Sequence, residues 1–413
     1  MPFTRRDRMT RRRVLGAVLG AGVAVPLASA APAWAGPGPS VRGSDTAPPG
    51  SAPARLALPE PTGPHPVGTV ELHLVDTARP DPGAGPGRHR QLMASVWYPA
   101  RGDVDRYPRV PWMPAGVLRT LLASAGFPPD AALAPLTAGH KGAPAHRTGR
   151  GLPVIVYSHG AGSHRSDHTV IVQELASHGY VVVTVDHLND AFSQLPDGRV
   201  VTPIRDEPLY AVDYATDVRF VLDRVEQLAA GHSPHTGHHP LPAGLCEALD
   251  VSRIGMFGWS KGGTATACVM LADRRVRAGL SLDGPMRPGP TQPTVTTDLD
   301  RPFMMMTAGF TRADDPNVAV FWSHLKDWRL NLQADGATHQ SYGDTQVLMP
   351  QLSKLVGMSD EDLRDWIGTL SPARAVKIQQ AYPLAFFDRH LRHKHGHLLD
   401  GPSRSFPEVR YLP

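Results

Sequence analysis

The chain has 413 residues, with 42 Lys and Arg against 38 Asp and Glu and only two cysteines. That length holds one large domain with extensions, and the cysteine count excludes a scaffold built on disulfides. The formal charge of +4 rests on the first 35 residues, which carry six Arg and one Asp; without them the balance is −1, so no nucleic-acid partner is implied.

The N terminus reads Arg5-Arg6-Asp7-Arg8 and Arg11-Arg12-Arg13, then an uncharged Gly/Ala/Val-rich stretch from Val14 that ends in Ala33-Trp34-Ala35. A basic start, a weakly apolar run and an A-x-A site predict a cleaved signal peptide over residues 1–35. Paired arginines ahead of an Ala/Gly-rich run fit the twin-arginine type, which exports proteins already folded, so a secreted, extracellular chain is expected. Gly, Ala and Pro26 make the stretch a poor permanent span. Residues 36–65 are Pro, Gly, Ser and Ala with almost no large apolar side chains and are expected to form a linker. A single domain is expected over residues 66–413.

Alternation over residues 69–75 and 92–97 predicts an opening antiparallel hairpin. Short apolar strands follow at 154–157, 181–185, 254–257, 278–282, 303–307 and 329–333. Between them lie helical spacings such as Val212, Val218, Val221, Val225 and Leu228. Strands alternating with helices predict an α/β, doubly wound, mostly parallel sheet, whose ligand site forms beyond the carboxyl ends of the strands. Residues 107–149 are Pro-rich around a short apolar helix near 117–122, read as a lid or as surface padding. Residues 231–240 carry His232, His235, His238 and His239 without carboxylate or thiol partners, so an exposed loop is expected there rather than a metal site. Cys246 and Cys268 leave a disulfide and two buried thiols both open.

The strongest chemical signal is Gly258-Trp259-Ser260-Lys261-Gly262, between the strand at 254–257 and the helix-compatible run 264–272. In this strand-to-helix setting G-x-S-x-G predicts a nucleophile elbow with Ser260 as the nucleophile, held in a strained conformation that small neighbours permit. Ser158-His159-Gly160-Ala161-Gly162 directly follows the strand at 154–157. The backbone N–H groups of Ala161 and Lys261 are the expected oxyanion hole, and His159 is read as a holder of the loop. A base must lie downstream, and His339, in the loop after the strand at 329–333, is the candidate. For the acid, Asp283 ends the strand at 278–282, while Asp314 and Asp315 follow the next one; spacing alone leaves the choice open.

Ser260-Lys261-Gly262-Gly263, then Arg277-Ala278-Gly279-Leu280-Ser281-Leu282-Asp283-Gly284, with Val96-Trp97-Tyr98-Pro99 and Ser158-His159-Gly160 upstream, resembles the plasma-type platelet-activating-factor acetylhydrolase family and its bacterial secreted relatives. The likeness runs through Ala176-Ser177-His178-Gly179-Tyr180, His339 and Ala385-Phe386-Phe387-Asp388, about residues 66–395. It implies the α/β-hydrolase fold, Asp283 as the acid, and hydrolysis of short-chain or lipid carboxylic esters through an acyl-enzyme, with no metal or organic cofactor. Transient contact with a lipid surface is expected from a lipid-ester substrate, while the family's lipoprotein-binding surface has no residue-by-residue match in this chain. Trp259 and Lys261 flank the serine where mammalian members carry a histidine and an aromatic residue, and the charged Lys261 side chain is expected at the pocket mouth. The rival readings are an acyltransferase with the same triad, a polyester hydrolase, and a silent hydrolase fold that only binds lipid. Transesterification to added alcohols marks the first, and absence of fluorophosphonate labelling marks the last.

Overall fold

The computed structural model describes residues 53–81, 83, 85, 87–204, 208–234 and 240–413. The expected signal peptide, most of the linker, and His235, His238 and His239 lie outside these residues. Two long strands, β1 (Val67–Pro80) and β2 (His89–Pro99), pair antiparallel as their alternation predicts. Residues 107–149 then contribute β3 (Arg109–Pro111), α1 (Ala115–Ser124) and β4 (Leu136–Lys141). Strand β4 runs parallel to β1 and β3 antiparallel to β4, so this segment widens the sheet, and α1 buries Val117, Leu118, Leu121 and Leu122 beside it. A short strand written Leu-Thr-Ala-Gly-His-Lys carries no apolar alternation, which is why it was not legible.

The rest alternates. Strand β5 (Leu152–Ser158), α2 (Thr169–Ser177) and β6 (Val181–Asp186) lead into a small ribbon of β7 (Ser193–Gln194) and β8 (Val200–Val201). After α3 (Ala211–Ala229) and the one-turn α4 (Leu245–Ala248) come β9 (Leu249–Trp259), α5 (Lys261–Ala272), β10 (Val276–Leu282) and β11 (Phe303–Thr307). The chain closes with α6 (Pro316–Ser323), β12 (Arg329–Ala334), α7 (Thr345–Val356), α8 (Asp360–Ile367), α9 (Pro372–Arg392) and β13 (Val409–Leu412).

One 11-stranded sheet runs β13-β12-β11-β10-β9-β5-β6-β2-β1-β4-β3, with β6 to β12 parallel at its centre. The chain passes from β5 outward to β6, then returns to β9 on the other side of β5. Strand order therefore reverses between β5 and β9, the position at which sheets of this kind carry their ligand sites.

Period-two alternation splits the core. Val154 and Val156 of β5 join Val218, Val221, Leu222 and Val225 of α3 on one face, while Ile155 and Tyr157 join Ile171, Leu175, Tyr382 and Phe386 of α2 and α9 on the other. Val212, expected on the inner face of α3, is exposed, because six positions separate it from Val218 and place it off the stripe. Within the expected linker, residues 54–65 lie against the domain: Leu56 N–H donates to Leu133 O at 3.1 Å, Thr62 N–H to Glu174 at 2.8 Å, and His65 N–H to Ser177 O at 3.1 Å. Both cysteines are free and half-buried, and burial pushes the Cys268 thiol up to about 12. No described helix is long and apolar enough to cross a membrane.

A buried polar seam lies between the sheet and α3. Arg90 Nε donates to Asp217 Oδ1 at 3.1 Å and its Nη1 to Leu188 O at 2.6 Å, while His187 Nδ1 donates to Asp217 Oδ2 at 3.0 Å. Burial, against the pull of Asp217, lowers the His187 pKa from 6.5 to about 4, and burial lowers that of His164 to about 4 as well. Both are neutral in the fold, so the unfolded chain binds more protons between these values. Stability is expected to be full above pH 6.5 and to fall as pH drops toward 4. Urea midpoints measured at about pH 7 and about pH 4.5 check this, and the decline is shallower in His187→Gln.

Candidate active site

Strand β9 delivers Ser260 into a left-handed turn (φ 54°, ψ −120°) immediately before α5. A non-glycine residue is strained there and needs anchoring. The anchors are main-chain: Ser260 N–H donates to Leu282 O at 2.9 Å, and Ser260 O accepts from Gly263 at 3.0 Å and Thr264 at 3.2 Å. The turn is also too tight for side chains at its flanks. A Cβ on Gly262 would stand 2.0 Å from Ser158 O, and one on Gly258 would stand 2.2 Å from Gly262 O. The half-buried Ser260 hydroxyl has no hydrogen-bond partner among the described residues.

His339 and Asp283 come together from different strand ends. His339 Nδ1 donates to Asp283 Oδ2 at 2.6 Å. Asp283 also sits at positive φ (48°), fully buried, and its carboxylate accepts N–H groups from Ala308 at 2.6 Å, Gly309 at 2.9 Å and Phe310 at 2.9 Å. Burial opposes its ionisation, but the hydrogen bond and charge of His339 and the Phe310 and Ala308 amides outweigh that and hold its pKa below the usual value. Trp259 bridges the elbow to the His339 loop, donating its indole N–H to His339 O at 2.8 Å with the rings 4.8 Å apart; Phe310 meets the imidazole edge-on at 5.3 Å. No Ser260–His339 hydrogen bond forms here, and in hydrolases without substrate that bond commonly tightens only on binding. The alternative carboxylates are engaged elsewhere: Asp315 caps α6 through Asn317 N–H at 2.9 Å and pairs with Arg287, and Asp314 accepts from Thr311 at 2.6 Å.

The loop after β5 packs on the elbow. A Cβ on Gly160 would lie 3.0 Å from Ser260 Cβ, which puts Ala161 beside the serine. Among the described residues neither the Ala161 nor the Lys261 amide has a hydrogen-bond partner, so both remain available to a ligand oxygen. His159 uses both ring nitrogens internally, Nδ1 donating to Gly160 O at 2.6 Å and Nε2 accepting His187 N–H at 3.0 Å, so it holds the loop.

The Lys261 side chain is not at the pocket mouth. Its ammonium pairs with Asp190, donates to Leu209 O at 2.5 Å and lies 5.2 Å over the Tyr214 ring. Asp190 in turn accepts Gly162 N–H at 2.9 Å and the Tyr214 hydroxyl at 2.9 Å. One carboxylate thus ties together the two residues next to or bearing the free amides. Asp190, Tyr214 and this clamp went unread in the sequence, because an Asp in a loop between a strand and a helix carries no distinguishing pattern.

A second Ser–His–Asp array lies beneath. Ser158 Oγ donates to His187 Nε2 at 2.9 Å, and His187 Nδ1 donates to Asp217 at 3.0 Å. Ser158 and His187 are 0% exposed and Asp217 is 1% exposed, with Tyr214 stacked on the imidazole at 3.7 Å. Sealed from any substrate, this array braces the loop after β5.

A doubly wound sheet with a strained serine at its switch point, and an acid–base pair on the following strand ends, is the architecture of an α/β-hydrolase. The family described as platelet-activating factor acetylhydrolase, isoform II, matches residues 51–194 and 218–401, and the chain belongs to that family. Among its relatives are a probable 1-alkyl-2-acetylglycerophosphocholine esterase of Arthroderma benhamiae, 27% identical over 88% of this chain and 95% of that protein, and the platelet-activating factor acetylhydrolase of Cavia porcellus, 24% identical over 74% of each. A ferulic acid esterase from Streptomyces cinnamoneus superposes with a TM-score of 0.70 at 31% identity, covering 87% of this chain and 100% of that one. The chain is a carboxylic ester hydrolase.

Two substitutions test the geometry. Gly262→Ala is expected to cost about 3 kcal/mol or more in thermal unfolding, since the added methyl has only backbone to displace. Asp190→Ala is expected to lower kcat for ester hydrolysis by about tenfold or more, with KM within about threefold, because it frees both amide-bearing segments.

Proposed function

We propose that the chain is a secreted serine ester hydrolase that works through an acyl-enzyme on short-chain or lipid carboxylic esters. The observation that carries this reading is the 2.6 Å pairing of His339 with Asp283 at the strand ends next to a strained, half-buried Ser260. Ser260 Oγ attacks the ester carbonyl while His339 Nε2 takes its proton. Asp283, held ionised by its amide donors, orients the ring and stabilises the imidazolium. The Ala161 and Lys261 amides bind the oxyanion. Collapse of the tetrahedral intermediate expels the alcohol, which leaves with the proton from His339. Water, deprotonated by His339, then attacks the acyl-enzyme, and the carboxylic acid departs as Ser260 regains its proton. No metal or organic cofactor enters this scheme.

Esters of aromatic acids are the second substrate reading. The Trp259 and Phe310 rings beside His339 favour it, as does the likeness to the Streptomyces ferulic acid esterase. Export by the twin-arginine route leaves a mature chain beginning at Gly36, which N-terminal sequencing of the secreted product checks.

Hydrolysis of p-nitrophenyl esters from acetate to palmitate, with methyl ferulate alongside, separates the substrate classes. Ser260→Ala is expected to lower kcat by at least about 10⁴, and Asp283→Asn by about 10³ to 10⁴. Asp314→Asn and Asp315→Asn are expected to stay within about threefold of the parent. A folded Ser260→Ala protein that keeps the parental rate would sink the mechanism, and product passing to added alcohols in preference to water would point to the transferase.

A further inference from the structure

Trp259, the residue ahead of the nucleophile, is 2% exposed, and its indole touches both the loop after β5 and the base. Its N–H donates to His339 O at 2.8 Å, and among the described residues that carbonyl has no other hydrogen-bond partner. The indole lies beside the imidazole, with centroids 4.8 Å apart and planes tilted by 33°. Its benzo edge rests on the loop after β5, where a Cβ on Gly160 would come within 2.6 and 2.7 Å of ring carbons. His168 is also near the indole, at 5.6 Å, and Gly343 packs in turn on His168, since a Cβ there would stand 3.0 Å from that ring.

His339 is thus held by two tethers. The bond from Nδ1 to Asp283 sets the rotation of the imidazole, and the bond from the indole to the His339 carbonyl sets where the backbone carries it. Charge enters as well. The base takes up a proton in both halves of the ester-hydrolysis cycle, and an indole face within about 6 Å of a cation attracts it through the ring quadrupole. Asp283 is the charged group against the imidazole and Phe310 meets it edge-on. The titratable group beside the indole is His168, whose Nδ1 lies 2.9 Å from Asp167.

We propose that Trp259 is a positioning residue for the base. It holds the imidazole within reach of Ser260 and favours the imidazolium as it forms in the transition state. The proposal rests on the reading of Ser260 as nucleophile and His339 as base.

Hydrolysis of p-nitrophenyl acetate from about pH 5 to about pH 9 tests it, with the full mature chain, Trp259→Phe and Ser260→Ala side by side. Trp259→Phe keeps a ring and deletes the N–H. Its kcat is expected to fall about tenfold, and by no less than about threefold, with KM within about threefold of the parent. The acid limb of its pH–kcat profile is expected to move to lower pH, because an imidazolium deprived of this support gives up its proton more readily. A kcat within about threefold of the parent, a loss carried by KM, or a fall in rate with the acid limb unmoved each overturns the proposal. Ser260→Ala separates the two readings. If that protein is folded and keeps the parental rate, the nucleophile fails and the proposal with it; if only Ser260→Ala is impaired, the proposal alone fails. Trp259→Leu, lacking both ring and donor, is read by the same criteria should Trp259→Phe fail to fold.

Discussion

Strands β5 and β9 end side by side, and the backbone beyond them has almost no room to pass. The carbonyls of Ser158 and His159 crowd Gly262 so closely that a Cβ there would come within 2.0 and 2.6 Å of them, and Gly258 meets the Gly262 carbonyl in the same way. Contact between bare backbones fixes the angle at which α5 leaves the sheet. That angle forces Ser260 into its positive φ and brings the loop after β5 over it. The Lys261 amide is left free at the helix N terminus, where the aligned peptide dipoles favour negative charge. Asp190 then ties the facing segments from the far side, through the Lys261 ammonium and Gly162 N–H.

Much of this was legible in the sequence. The parallel core strands carry continuous apolar runs, and all eight strand segments read from the sequence fall within observed strands. The elbow announces itself because the steric demand is met by glycine at fixed offsets from the serine. Choosing Asp283 needed the resemblance, since two loops offered a carboxylate to one histidine; in the structure it is Asp283, and neither Asp314 nor Asp315, that hydrogen-bonds His339. The outer strands β3, β4 and β13 were not legible. They are short and hydrogen-bonded on few positions, so pairing with a neighbour rather than composition makes them strands. Lys261 misled for a related reason: a charge is read as solvent-facing unless its partner is known, and Asp190 lies 71 positions away.

The two Ser–His–Asp arrays bear on how such sites are read. Ser158–His187–Asp217 has the hydrogen bonds of a relay and no access, whereas Ser260 has access, a paired acid and base nearby, and unbonded amides beside it. Connectivity alone would favour Ser158, which the structure seals from solvent. What separates them is solvent contact and the unbonded amides next to the hydroxyl, the kind of donor that stabilises developing charge. The buried array still serves the exposed one, because His187 N–H holds His159, and His159 holds the Gly160 carbonyl.

The only two cysteines remain thiols, and neither strands nor helices wait on an oxidant to close. The native state is therefore indifferent to the redox poise of the compartment in which it forms. Such a chain can fold among reductants or in oxidising surroundings with no covalent rearrangement, and its endurance in either rests on packing, buried hydrogen bonds and buried ion pairs.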